Sequence, residues 1–311
     1  MLREALRIDP TGASRGYGIA QLHMAIDEPL RVPELSRAFT LVARRHPALS
    51  SSLRWQGLER PEQRVARDVE IPVEVVNDWR DLDDSARTPL REAFLARDRA
   101  RGLDLRVAPL MRLTIFPART GATEAVWTFH QMMLDGRSLA PILRELFGAY
   151  QALVRDERWQ PAPPPLPFQA FVEWTERLDH RSSLRHFRKL LDGKGVPTPL
   201  PGAEAESRPL AREGFGRAGQ VIDPRVVQSA RDLAQRTGTG LGTVLQASWA
   251  LVLARFTGDD DVLFGSGRTG RRSALGGQTD SMIGLLANAL PVRVRVDDER
   301  TVAALLSDLR A

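Results

Sequence analysis

From Val32 onward apolar residues return every three or four positions, with Leu35, Ala38, Phe39 and Val42 at i, i+3, i+4 and i+7. That is the spacing of one buried helix face. Pro33 sits near the first turn, where its missing amide proton costs nothing, and marks the start. The period changes to two over Glu124 to Gln131, predicting a strand whose successive side chains face opposite ways. His130 and Gln131 therefore cannot both face one cavity. A helical stripe returns over Ser138 to Leu153, carried by Leu139, Ile142, Leu143, Leu146, Tyr150 and Leu153. Further on, Asp223 as N-cap and Pro224 at the first helical position open another helix, and a second is predicted from about Gly240 to Phe256. Asp261 to Gly265 and Leu290 to Val296 read as strands. Trp127, Trp174 and Trp249 fall at core spacings and read as packing.

Helix and strand signals thus alternate in two blocks, which predicts an α/β fold in two similarly built lobes, with a site expected at their junction. Residues 1–192 form the first block and residues 219–311 the second. Between them, 193–218 is polar and rich in proline and glycine, with Pro197, Pro199, Pro201 and Pro209, and reads as a linker.

Composition narrows the chemistry. With 42% apolar and 27% charged residues, the 311-residue chain can bury two cores and is too balanced to be disordered. It has no cysteine, which excludes disulfides, thiolate metal sites and cysteine nucleophiles, and no metal site is expected. No apolar run reaches the length of a membrane span of about 18 residues, and Met1-Leu2-Arg3-Glu4 lacks a signal-peptide core, so a cytoplasmic location is expected. The net charge of +5 comes from arginines interleaved with acids. The densest basic stretch, Arg268 to Arg272, is short, glycine-interrupted and without alternating aromatics, so no nucleic-acid partner is expected.

The chemistry-bearing stretch is Phe129-His130-Gln131-Met132-Met133-Leu134-Asp135-Gly136-Arg137-Ser138, at a strand-to-helix junction where α/β folds display reactive groups. His130 suits a general base, because imidazole exchanges protons near neutrality; it equally suits a buried histidine bonded to the backbone. Gly136 permits a tight turn, and Asp135 can cap it or pair with an arginine.

This stretch resembles the His-His-x-x-x-Asp-Gly signature of peptide-synthetase condensation domains, with His130 on the first histidine, Gln131 on the second, and Asp135 and Gly136 completing it. Four further segments match in order. Arg45-His46-Pro47-Ala48-Leu49 resembles the family's Arg-His-x-x-Leu-Arg helix end, with Ser50 where the family has arginine. Arg101 to Leu105, leading to Pro109 through Leu113, resembles the strand entry upstream. Gly265 with Gly270-Arg271 resembles Gly-x-x-x-x-Gly-Arg, and Gly284 to Arg293 resembles Gly-x-x-x-Asn-x-Leu-Pro-x-Arg.

The resemblance implies two chloramphenicol-acetyltransferase-like lobes in a V, with a tunnel entered from both sides by the phosphopantetheine arms of carrier proteins. It implies an acyltransferase that joins an acyl or peptidyl thioester on an upstream carrier to an aminoacyl thioester on a downstream carrier. The partners would be those carriers and adjacent synthetase domains, with no cofactor bound by the domain itself. Gln131 occupies the position of the family's catalytic histidine, and glutamine cannot accept a proton as a base. The alternative is a catalytically degenerate module that binds carrier proteins or recruits another enzyme. By resemblance Asp135 and Gly136 are structural, Arg271 is the partner of Asp135, and Ser138 and Asn288 are candidates to line the tunnel. For Asn288 and Arg293, strand-end hydrogen bonding is the competing expectation. The second lobe is expected to be incomplete and both ends trimmed. A free-standing single-lobe acetyltransferase using coenzyme A is disfavoured, because more than half the chain follows Gly136.

Overall fold

The structure, a computed structural model, describes residues 2, 5, 6, 9, 11, 12, 16–28, 30–119, 122–200, 219–271 and 274–310. The chain divides into two compact units, one of residues 1–178 with 269–287, the other of 179–268 with 288–311. The division at 178 replaces the expected one at 192, and residues 269–287, expected in the second lobe, pack in the first unit. The greater part of the expected linker, 201–218, lies outside the described residues.

The first unit contains β1 (Ile19–Ile26), α1 (Val32–Arg45), β2 (Ser51–Arg54), β3 (Glu62–Val65), β4 (Val73–Val75), α2 (Asp84–Arg101), β5 (Met111–Phe116), β6 (Thr123–His130), α3 (Gly136–Val154) and α4 (Phe168–Glu176). A four-stranded sheet runs in the order β1-β6-β5-β4, with β6 antiparallel to both neighbours and β4 parallel to β5. A separate ribbon pairs β2 with β3.

The helix face read from Leu35, Ala38, Phe39 and Val42 is buried on α1, and Ile142 and Leu146 of α3 join the same core. Phe39 meets Trp127 of β6 edge-on at 5.2 Å between ring centroids. The odd-numbered side chains Ala125, Trp127 and Phe129 of β6 face this core. On the other face, Val126 joins Phe116 of β5, Phe94 of α2 and Trp79 in a second cluster. Both faces of β6 are therefore covered, and all eight of its residues are buried. The strand's period of two separates one core from another rather than core from solvent.

That second face also holds polar groups, each matched by a partner. Asp98 of α2 accepts from Arg112 Nε at 2.6 Å, Thr128 Oγ1 at 2.6 Å and Gln21 Nε2 at 2.8 Å. Glu124 accepts from Arg91 at 2.9 Å and lies 2.6 Å from His23 Nε2. Burial pushes the Asp98 carboxyl up, but hydrogen bonds from Arg112, Thr128 and Gln21 outweigh it and hold the group below the ordinary aspartate range. Near the end of α1, Glu145 of α3 takes both Arg45 Nε at 3.1 Å and His46 Nε2 at 2.7 Å. Ser50 is buried and donates to the Ala43 carbonyl at 2.7 Å.

The second unit contains α5 (His180–Leu190), α6 (Pro224–Arg236), α7 (Leu241–Thr257), β7 (Asp261–Arg268), β8 (Asn288–Arg295) and α8 (Val302–Arg310). Asp223 caps α6 through the Arg225 amide at 2.8 Å, with Pro224 at the first turn. Gly258, at φ +71°, ends α7 in the left-handed conformation that a side chain would oppose. Val244, Ala247, Ala250 and Leu253 of α7 pack with Val262, Val294, Leu305 and Leu306. Arg293 pairs with Asp261 through two nitrogens and also donates to the Leu190 and Asp192 carbonyls, binding residues 179–192 into this unit. Trp127 is wholly buried as expected, but Trp249 is 43% exposed and lies outside the core. Its helix spacing resembled that of a core residue because Leu245, Trp249, Val252 and Phe256 form a second apolar stripe, which is exposed.

Replacing Asp98 by alanine would leave the buried Arg112 guanidinium without its counter-charge. Asp98→Ala should cost about 3–5 kcal/mol in unfolding free energy, measured by urea titration. A loss below about 1 kcal/mol would mean that the pair does not hold α2 to the sheet.

Candidate active site

β6 ends at His130, one residue before the expected end, and residues 131–134 turn into α3. His130 is fully buried, and its Nδ1 accepts from the Met132 amide at 3.1 Å. A further hydrogen bond joins it to the Tyr17 backbone. Its ring fills the space beside Gly18, which lies at φ +69°; a Cβ there would come within 2.6 Å of the imidazole. Burial pushes the His130 pKa down to about 4, because the apolar surroundings penalise the imidazolium more than the Tyr17 bond favours it. At neutral pH the ring is uncharged. Of the two readings that the sequence allowed, the structure takes the buried, backbone-bonded histidine.

Gln131 points the other way. It is exposed, and its backbone amide donates to the Gly18 carbonyl at 2.7 Å. The Gly18 segment thus holds both residues, accommodating the ring of one and accepting the amide of the next. The Gln131 carboxamide has no hydrogen-bond partner among the described residues, which leaves its oxygen and nitrogen to solvent or a ligand.

Asp135 caps α3, accepting at Oδ1 from the Ser138 amide at 3.1 Å. The same oxygen receives Arg271 Nη2 at 2.6 Å, and Oδ2 receives the Leu286 amide at 3.2 Å. Arg271 is 1% exposed and also donates from Nη1 to the Thr279 and Met282 carbonyls at 2.8 and 2.7 Å. The structure therefore brings Asp135 and Arg271 together, tying the turn after β6 to Arg271, Gly284 and Leu286 of the same unit.

Two of the named residues, Ser138 and Gly136, sit differently from expectation, and Asn288 makes the strand-end hydrogen bond that was its competing expectation. Ser138 is fully buried. Its hydroxyl lies within hydrogen-bond reach of Asp135 Oδ1 at 2.9 Å and the Gly284 carbonyl at 3.0 Å, and it accepts from Arg271 Nη2 and the Gly284 amide. A hydroxyl so engaged has no capacity left for a substrate. Gly136 begins α3 without a positive φ and with open space where a Cβ would stand, so no tight turn requires glycine there. Asn288 is exposed at the start of β8, in the second unit, and its side chain accepts from the Ala289 amide at 2.9 Å.

Sequence reasoning missed Gly18, and it named Gly284 only as the first residue of a motif, with no role. Gly284 admits Phe168 so closely that a Cβ would lie 2.3 Å from its ring. The pair Gly16 and Gly18 just ahead of β1 was the available sign of the first, but nothing near Gly284 announced a contact with Phe168. Among the described residues no group of three or more His, Cys, Asp and Glu could hold a metal, and no helix is long and apolar enough to cross a membrane.

The strand order, the strand-to-helix turn and the buried braces define a chloramphenicol-acetyltransferase-like α/β fold. The chain aligns with the first condensation domain of the CDA synthetase at a TM-score of 0.73 and 22% identity, covering 99% of this chain and 71% of that one. It aligns with the X-domain in complex with OxyB from teicoplanin biosynthesis at 0.77 and 22% identity, covering 99% and 67%. The model of the condensation domain matches residues 13–311, so the chain belongs to the condensation-domain family, of the nonribosomal-peptide-synthetase type. The chondramide synthase of Chondromyces crocatus is 34% identical over 296 residues, which is 94% of this chain and 7% of that synthase. The chain thus spans a small fraction of the length of this relative.

Two outcomes follow from the geometry. Arg271→Met would leave Asp135 buried and unpaired, and should lower unfolding free energy by about 3–5 kcal/mol, read from urea titration. The His130 shift has a definite sign. Its folded pKa lies below the ordinary 6.5, so on acidification the unfolded chain takes the proton first. The stability it contributes is complete above about pH 6.5 and is lost as pH falls toward 4, an effect of about 3 kcal/mol. An NMR titration should find the ring neutral down to about pH 5. A midpoint near 6.5 would contradict its burial.

Proposed function

We propose that the chain is an amide-forming condensation domain that joins an acyl or peptidyl thioester to an aminoacyl thioester, both carried on phosphopantetheine arms of carrier proteins. Upstream and downstream carriers and adjacent synthetase domains are its partners in this reading, and the cytoplasm is its compartment. The supporting observation is that the scaffold of the turn is complete while Gln131 alone projects from it with a free carboxamide.

The chemistry follows from what each side chain offers. His130 is buried and neutral, with its Nδ1 already accepting from Met132, so it does not serve as the base. Gln131 offers a carbonyl oxygen that can accept a hydrogen bond from the attacking amine and hold it toward the thioester carbonyl. The amine's proton would leave to solvent or to the departing thiolate. An amine is already a good nucleophile toward a thioester, so positioning carries much of the rate.

A second reading is a module of this fold that binds carriers or recruits an enzyme without forming a bond. Two observations favour it: no ionisable base stands at Gln131, and one neighbour in fold, the teicoplanin X-domain, was solved in complex with OxyB.

Intact-protein mass spectrometry of acyl-loaded donor and aminoacyl-loaded acceptor carriers separates the readings. The native chain should give product more slowly than Gln131→His, by about 10²-fold, the lower end of the usual general-base contribution. Gln131→Leu should abolish it. Product with Gln131→His alone would assign the native chain to the binding role.

A further inference from the structure

In the second unit, α5 carries Arg181, Arg185 and Lys189 at i, i+4 and i+8, and all three are exposed. That spacing lays the cations along one ridge of the helix, about one turn apart. None of the three has a carboxylate partner among the described residues. Lys189 stands at the edge of a groove of about 500 Å³ between α5, β8 and α8. Arg295 and Arg300 stand in the same groove, whose apolar lining comes from Leu190, Val294, Leu305 and Leu309. Its carboxylates are already engaged: Asp308 pairs with Arg300 at 2.5 Å, and Asp261 behind it pairs with Arg293 at 2.6 Å. Arg295 lies opposite Asp261 in the β7–β8 ladder and its charge acts on that carboxylate, but among the described residues it closes no ion pair within 4.0 Å.

We propose that this groove binds an acidic amphipathic helix of a partner protein, with apolar side chains on the groove lining and carboxylates against Arg185, Lys189 and Arg295. An acidic helix repeats its carboxylates at the turn spacing of the cation ridge, which is the charge complementarity that sets register at an interface. The apolar lining distinguishes this surface from a nucleic-acid site. No Phe, Tyr or Trp lines the groove, and His186 alone gives no platform on which successive bases could stack. A membrane surface would require several large apolar side chains projecting from the helix, and on α5 only Leu184 is strongly exposed. The proposal stands independently of whether Gln131 supports bond formation.

The test is fluorescence anisotropy on the 311-residue chain with a labelled glutamate–leucine amphipathic peptide of about 18 residues, five helical turns. An isomer of the same composition with its glutamates dispersed around the helix serves as the comparison. The amphipathic peptide should bind at least about tenfold more tightly than the isomer, and more weakly as salt is raised. The combined variant Arg185→Glu, Lys189→Glu, Arg295→Glu should lose at least about tenfold in affinity. A matched reversal on α6, Arg225→Glu, Arg231→Glu, Arg236→Glu, should leave binding unchanged. All six side chains are exposed, and circular dichroism melts check that both variants fold. Equal binding of the isomer, equal loss in the α6 variant, or tighter binding of duplex DNA or phosphatidylserine vesicles would overturn the proposal.

Discussion

The ion pair between Arg271 and Asp135 is the interaction on which the site depends. It spans 136 positions of sequence and is shut away from water, with the arginine 1% exposed. Two charges removed from water gain little by attraction alone unless their other hydrogen-bonding groups are also satisfied. Here they largely are: the Thr279 and Met282 carbonyls take the guanidinium, and the Leu286 and Ser138 amides take the carboxylate. Such a pair adds less net stability than specificity. An apolar pair could fill the same volume, but only directed donors and acceptors hold Arg271, Thr279, Met282 and Leu286 in one register against the turn that carries Gln131.

With the turn so held, two adjacent residues have opposite fates. His130 ends the strand on its inner side, where burial removes its charge and the Gly18 backbone leaves just enough space for the ring. Gln131 begins the turn on the outer side, anchored by its own backbone amide. No described side chain bonds to the Gln131 carboxamide, so that side chain is no part of the brace. The brace and the exposed side chain at position 131 are therefore separable in this fold.

The sheet shows the same economy. β6 carries apolar residues on one face and a mixture of apolar and polar residues on the other, and neither face meets solvent. The polar positions are tolerable only because α2 supplies Asp98 and Arg91 at the matching heights, while Arg112 and Gln21 reach across from neighbouring strands. A sheet covered on both faces by different helices gives the turn at its end a rigid platform.

Much of this was legible in the sequence. Helix faces such as Leu35, Ala38, Phe39 and Val42, the cap at Asp223 and Pro224, and the strand running up to His130 follow from local periodicity and local backbone chemistry, which short stretches of chain determine by themselves. The ordered motifs also identified the family and singled out Asp135, Arg271 and Gln131. The sequence did not reveal that β6 is buried on both faces, that Ser138 is enclosed, that Trp249 is exposed, or that residues 269–287 belong with the first unit. Nor did it show that Gly18 and Gly284 are needed for close approach. Each of these depends on which distant segment arrives at a given surface, and periodicity records only that a face is apolar, never what covers it. The sequence by itself determined the elements and the chemical groups at the turn; the tertiary structure alone decided which groups are sealed from water and which stay open to solvent.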